Sequence, residues 1–344
     1  MTTVYDAFVS ADGKADYVLP SAAFADGKKR IFVQPGVYYE TKDVSVPSGA
    51  TMIGANRGTT IIDFANNAAS VTCDASYGTI ESKGTISITS DSKMVTGTGT
   101  YFNSIPAGNR YIYLNDRAFA ISSIANDTSL ELVNVYRGSA LSGAPYKAMT
   151  MESCSQLSNF TIRNSASKGL FVSGYLKASI SNVIIENCAE HGLYVDNCTE
   201  CSFLEMDANF GGVNGYSINA STYCQFNRNN ALSNAGYGFL CDANCSNLVV
   251  TCMQASANDT NFYIDGVDNC LVSSMSNHAK NDGIVVNNTT NKIVACASTY
   301  NGHDNVHVLS TADNTLIVAV NFNVAGSTEF NNESATTGYA ATYP

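Results

Sequence analysis

EHGLYVDN, residues 190–197, has the apolar alternation of a short buried strand, and six variants of it occur along the chain. They are SKGLFVSG (167–174), VNGYSINA (213–220), GYGFLCDA (236–243), DTNFYIDG (259–266), NDGIVVNN (281–288) and HDNVHVLS (303–310). Their centres, Gly169, Gly192, Gly215, Gly238, Asn261, Gly283 and Asn305, are spaced by 23, 23, 23, 23, 22 and 22 residues. The first and third residues after each centre are apolar, as in Leu193 and Val195 or Phe262 and Ile264. Strand alternation turns both of them inward. A second strand is expected about 12 residues before each centre, beginning with Leu157, Ile180, Phe203, Phe226, Val249, Leu271 and Ile293. Each step leaves room for a third.

A fixed period of this length is the mark of a solenoid, in which each turn buries its apolar side against its neighbours. The predicted fold is all-β: a three-sided, right-handed parallel β-helix of 22–23 residues per coil, its hand following from the usual chirality of parallel crossovers. Asn247, Asn269, Asn291 and Asn314 fall at matching positions and predict an amide ladder along the axis.

Composition narrows the function classes. The chain has 344 residues, 45% hydrophobic and only 14% charged, with net charge −11. No Lys/Arg cluster occurs, so nucleic acid is not an expected partner. No run approaches the roughly 18 apolar residues of a membrane span, and no basic-then-apolar export signal is seen, so a soluble protein without membrane insertion is expected. Eleven cysteines follow no compact disulfide framework. Cys241, Cys252 and Cys296 fall where small core residues belong, predicting free packing thiols made in a reducing compartment. Cys198 and Cys201 form a lone CxxC without a second pair.

The beginning differs in texture. PGVY (35–38) followed by VPSGATMIGANRGTTIID (46–63) resembles the first coils of the pectin-lyase-like superfamily, notably virus and phage tailspikes. The resemblance implies a short helix plugging the open end of the solenoid, and residues around 17–24 suit it, with Pro20 in the first turn. Residues 84–148 interrupt the coils with short alternating strands and Gly, Asn and Asp turns, which predicts a small antiparallel β-barrel-like module. The expected organisation is a cap and first coils over 1–83, the insert over 84–148, the main coils over 149–330, and a cap or tail over 331–344.

Stacked coils align equivalent residues about 4.8 Å apart on flat outer faces. The first-strand columns then hold Asn159, Thr161 and Arg163; Asn182, Ile184 and Glu186; Glu205, Asp207 and Asn209; Arg228 and Asn230. If straight, that strand puts the Glu205 and Asp207 β-carbons roughly 6.5 to 7 Å apart, compatible with an inverting glycosidase pair. Asp207 would then be the base and Glu205 the acid, with Arg228 orienting substrate and Glu186 an alternative partner. A salt-bridge network, Arg228 with Glu205 and Arg163 with Glu186, is the competing reading. The repeat strand carries Phe171, Tyr194 and Tyr263 outward, flanked by Asp196, Asn219, Asp242 and Asp265. Aromatic faces beside carboxylates suit sugar rings, with Arg163 a further contact. The Asp and Asn residues are equally ordinary turn formers.

The resemblance implies a spike that recognises, and in some relatives depolymerises, host surface polysaccharide. Alternatives are a free-standing hydrolase or lyase and a structural virion component. It implies a virion or extracellular setting after synthesis in a host cytoplasm, and often a homotrimer, here by side-by-side packing of solenoid faces. The superfamily's epimerases carry a D-P-H run, and none occurs here. No cofactor is expected. Acidic clustering leaves calcium open, and His191, His278, His303 and His307 fall in different columns, which predicts no metal site.

Overall fold

The computed structural model describes residues 4–74, 81–107, 110–115, 117–150, 152–153, 155–318, 320–323, 330–334 and 338–340. Two compact units divide the chain, residues 1–74 with 154–344 and residues 75–153.

The first unit is the predicted right-handed, three-sided parallel β-helix. One coil runs through Ser202–Leu204, Asp207–Asn209 and Tyr216–Asn219. Each of these pairs in parallel with its counterpart in the next coil, Gln225–Asn227, Asn230–Leu232 and Tyr237–Cys241. Leu170, Leu193, Tyr216, Phe239, Phe262, Ile284 and Val306 stack inward on the third face, all fully buried. The repeated glycine has a steric cause: a β-carbon on Gly192 would lie 2.8 Å from the Gly215 carbonyl oxygen and 3.0 Å from the Ala208 β-carbon.

Phe203 and Phe226 stack at 4.8 Å and 8°, and Phe226 meets Phe239 edge-on at 5.2 Å. Burying each such ring contributes about 1.5–3 kcal/mol. In this inward column the residue after Phe226 is Val250, paired with Phe226 and Leu271. Val249 points out and is 40% exposed, so the predicted register there is off by one residue.

The corners were not foreseen. At the first corner sit Asn159 and Asn182, inside the strands Gln156–Arg163 and Ser179–Glu186, and in later coils Glu205, Arg228, Cys252, Ser273 and Ala295, all left-handed with φ between 49° and 65°. Similar columns pass through Asn164, Asn187 and Phe210, and through Lys177, Glu200 and Tyr223. A left-handed L-residue costs about 1–2 kcal/mol. Bonds between coils hold the bends in place: the Glu205 N–H donates to the Asn227 carbonyl at 2.9 Å, and that of Phe210 to Leu232 at 3.0 Å. Cys252 is therefore an exposed corner residue, not a core thiol.

The predicted Asn column splits in two for the same reason. Asn247 and Asn314 occupy a left-handed corner, whereas Asn269 and Asn291 are buried beside it. There the Asn291 amide oxygen accepts the Asn269 N–H at 3.0 Å, and the Asn269 oxygen accepts the Leu248 N–H at 2.9 Å. A second buried ladder runs through Asn234, Asn258 and Asn301. Its period was masked by Gly211 and Ala279 in the same column.

A helix, α1 (Pro20–Ala25), begins with proline in its first turn and packs against Ala7–Val9, Arg30–Val33 and Val44–Ser45. Leu19 offers no side-chain cap. Buried Glu40 substitutes from outside, accepting the Ser21 N–H at 3.0 Å and the Ser21 hydroxyl at 2.7 Å.

Among the described residues the second unit is an antiparallel sheet of seven strands, from Leu141–Ala144 at one edge to Lys147–Thr150 at the other. Its own core includes Ile86, Val95, Phe102, Leu130 and Tyr136. In the chain it replaces the short link between the third strand of one coil, Val71–Asp74, and the first strand of the next, Gln156–Arg163.

Candidate functional site

Three polar clusters lie on the outer wall of the solenoid. The first is the acidic corner that the sequence singled out. Because Glu205 is left-handed and Asp207 opens the following strand, the two flank a bend and do not alternate along one straight strand. The separation expected from strand geometry therefore does not apply. Arg228 Nη1 lies 2.8 Å from Glu205 Oε1, both well exposed. Asp207 accepts Asn230 Nδ2 at 2.6 Å and pairs with Arg57 Nη1 at 3.1 Å.

Arg57, from an earlier coil, escaped notice. Its guanidinium also donates to the Glu205 carbonyl at 3.4 Å, and its own carbonyl accepts the Thr161 hydroxyl at 2.5 Å. Arg163 does not pair with Glu186. Its Nε lies 2.7 Å from Asp63, a buried carboxylate that also accepts the Ala65 N–H and the Asn164 amide. Burial alone would raise the Asp63 pKa, but these three bonds outweigh it and hold the carboxyl below its usual value. Glu186 sits in the same ladder, between Arg163 and Asn209, without an ion pair among the described residues.

The second cluster occupies the outward side of the third face. Phe171, Tyr194, Ser217, Leu240, Tyr263, Val285 and His307 are successive neighbours in one column. Phe171 and Tyr194 touch at 5.7 Å, with Lys168 Nζ over Tyr194 at 5.3 Å and His191 against it at 5.3 Å. Tyr263 packs on Tyr237 at 5.1 Å, a ring the sequence pattern did not offer. Ser217 and Leu240 separate the two aromatic pairs, so the predicted aromatic column is interrupted.

Two residues along each strand lies a polar ladder. Asn219 Nδ2 donates to Asp196 at 2.5 Å, and Asn287 Nδ2 to Asp265 at 2.7 Å. Asp242 behaves as a turn former, accepting the Asn244 and Ala220 N–H groups. Its burial raises its pKa. Burial, with Asp196 and Asp242 nearby, raises that of Tyr194.

The third cluster was missed. Asp282 and Asp304 stand one coil apart, and His307 lies between their carboxylates, with Nδ1 3.4 Å from Asp282 Oδ2 and 3.7 Å from Asp304 Oδ2. His307 Nε2 lies 3.1 Å from Glu333 Oε1, and exposed His303 approaches Asp282 at 3.9 Å. Burial would lower the His307 pKa, but the bonds to Glu333 and Asp282 prevail and raise it. The available signal was the 22-residue step joining Asp282 to Asp304, with His307 on the outward position of the following strand.

No protein-family model matches the chain, and no curated protein matches it. Solved structures do. The tailspike protein gp49 from Pseudomonas phage LKA1 superposes with a TM-score of 0.65 at 12% identity, over 88% of this chain and 56% of that one. ORF18 of Geobacillus virus E2 gives 0.57 at 12% identity, over 91% and 54%, so the chain spans little more than half of either viral protein. The mannuronan C-5 epimerase AlgE6 A-module of Azotobacter vinelandii gives 0.57 at 11% identity, over 94% of this chain and 93% of the module. At these identities the likeness is one of fold, a parallel β-helix.

Proposed function

We propose that the protein recognises a polysaccharide, in the manner of a tailspike, on the outward side of the third face. The observation that carries this reading is the pairing of two columns: Phe171, Tyr194 and Tyr263 in one, Asp196, Asn219, Asp242, Asp265 and Asn287 in the next. From Phe171 to Tyr263 is four coil steps, about 19 Å at the interstrand spacing. A polymer lying along the axis would meet two separate aromatic pairs, Phe171 with Tyr194 and Tyr263 with Tyr237, beside a row of hydrogen-bonding groups. The acidic ladder favours a neutral chain over a polyanionic one. Fold likeness to the LKA1 tailspike and to an enzyme named for mannuronan agrees with a polymer-facing role and does not choose a sugar.

Cleavage is a separate question. Each carboxylate of the acidic corner already faces a cation, Glu205 with Arg228 and Asp207 with Arg57, which fits a structural network at least as well as a proton-transfer pair. Binding of the full chain to a panel of capsular and cell-wall polysaccharides, with reducing-end release measured alongside, tests both. Removing a half-buried tyrosine contact of about 50 Å² costs roughly 1.3 kcal/mol, or about tenfold in affinity. Tyr194→Ala and Tyr263→Ala should each show that loss. Binding that survives both unchanged would move the site off this face. Reducing-end release abolished by Glu205→Gln or Asp207→Asn would instead assign hydrolysis to the corner.

A further inference from the structure

We propose that Asp282, Asp304 and His307 form a binding site for a divalent transition-metal ion, with Glu333 holding the imidazole. The site is independent of the glycan reading. One ligating atom from each of the three residues lies within 4.8 Å of the others. The Nδ1-to-oxygen separations of 3.4 and 3.7 Å are long for a charge-assisted hydrogen bond, which runs about 2.7–2.9 Å. They match the roughly 3.4 Å that separates donors arranged tetrahedrally at bonds of about 2.1 Å.

The protonation of His307 is set from its far side. Glu333 Oε1, 3.1 Å from Nε2, requires the proton there. With Nε2 held by Glu333, a bound ion would displace the Nδ1 proton that otherwise faces Asp282, so that Nδ1 and the two carboxylate oxygens would converge on it. Carboxylate behind imidazole is the arrangement that orients metal-bound histidines elsewhere. The backbone adds to the rigidity: the Asp304 N–H donates to Asp282 Oδ1 at 2.9 Å, and Asn331 Nδ2 donates to Asp304 Oδ2 at 3.0 Å. Asp304 is only 8% exposed.

Charge accounting agrees. Asp63, Asp207, Glu190, Glu200 and Glu205 each face a lysine or arginine. Among the described residues none pairs with Asp282 or Asp304, whose only ion-pair partners are His303 and His307. An imidazole with two carboxylates suits Zn²⁺ or its first-row neighbours better than Ca²⁺ or Mg²⁺, which prefer oxygen alone. The remaining coordination positions fall to water or to His303.

The test titrates chelator-stripped, full-length protein with Zn²⁺ after alkylation of accessible thiols, which removes Cys252 as a competing ligand. Calorimetry should give one equivalent, and Ca²⁺ should fail to displace it. His307→Gln and Asp304→Asn should each weaken Zn²⁺ binding at least tenfold, Glu333→Gln by about 10–100-fold, and His278→Ala not at all. Far-UV circular dichroism identifies any variant that has lost its fold. If one does, Co²⁺ substitution in the unmutated chain keeps the question open to decision: visible bands of a nitrogen- and oxygen-ligated ion support the site. Absence of stoichiometric binding, or binding indifferent to both His307→Gln and Glu333→Gln, overturns it.

Discussion

Replacing Asn258 with its isostere Asp tests whether the solenoid is held by amides as well as by apolar packing. The Asn258 oxygen accepts the Asn234 backbone N–H and the Asn234 Nδ2, both at 2.9 Å. Its own Nδ2 donates to the Ala231 carbonyl at 3.1 Å and to Asn261 Oδ1 at 2.9 Å. Asn258 and Asn261 are fully buried and Asn234 is 1% exposed, so water cannot replace a lost partner. At about 1 kcal/mol per net bond, Asn258→Ala should cost about 4 kcal/mol. Asn258→Asp preserves volume and both acceptor bonds but points a second oxygen at two acceptors. It should cost at least as much at neutral pH, and less at low pH, where a protonated carboxyl donates one bond again. The reference is Asn281→Ala, an exposed ladder amide with one bond to Asp259, expected within about 0.5 kcal/mol of wild type. Urea unfolding followed by far-UV circular dichroism measures all three, since the chain has no tryptophan. Amide exchange at Asn234 reports the local effect. An Asn258→Asp variant within about 1 kcal/mol of wild type at pH 7 would refute the reasoning.

Other expectations follow from single contacts. Because bonding holds the Asp63 pKa down, its stabilisation is present above the unfolded value of about 3.9 and lost as pH falls through the folded one. Asp63→Asn should therefore lower the melting temperature at pH 7 and make little difference near pH 2. Of the ten cysteines with described positions, Cys252 is exposed, Cys270 is half-buried and eight are buried. A thiol reagent should modify Cys252 first. The buried thiols, such as Cys188 with its pKa pushed up to about 11, should react only on unfolding. Arg57→Ala should cost about 1 kcal/mol in thermal or urea unfolding, and a double-mutant cycle with Asp207→Asn should return most of that as coupling.

The repeat was legible because it has a steric cause. Gly169, Gly192, Gly215, Gly238 and Gly283 leave no room for a side chain, and alternation around the repeat centres fixes which residues face in. The corners were illegible for the opposite reason. Left-handed positions usually announce themselves with glycine, yet here Glu205, Arg228, Cys252 and Phe210 take that conformation, stabilised by bonds from the adjacent coil. Reading straight through such a bend put Glu205 and Asp207 on one strand. Arg57 lies 150 residues from Asp207 in sequence, with the inserted module in between, so no count of coil steps connects them. His307 is legible by column, because the 22-residue step that joins Asp282 to Asp304 sets both carboxylates beside it.

The bends without glycine bear on how such a chain can diverge. Where backbone-to-backbone bonds impose a left-handed turn, the side chain on that turn is released from any duty to the scaffold. Substitutions at these vertices can accumulate with little consequence for the coil. What the coil demands is a rhythm of lengths and inward apolar beats, and one shape can be met by very different letters, as the 12% identity to the LKA1 tailspike over 88% of the chain illustrates.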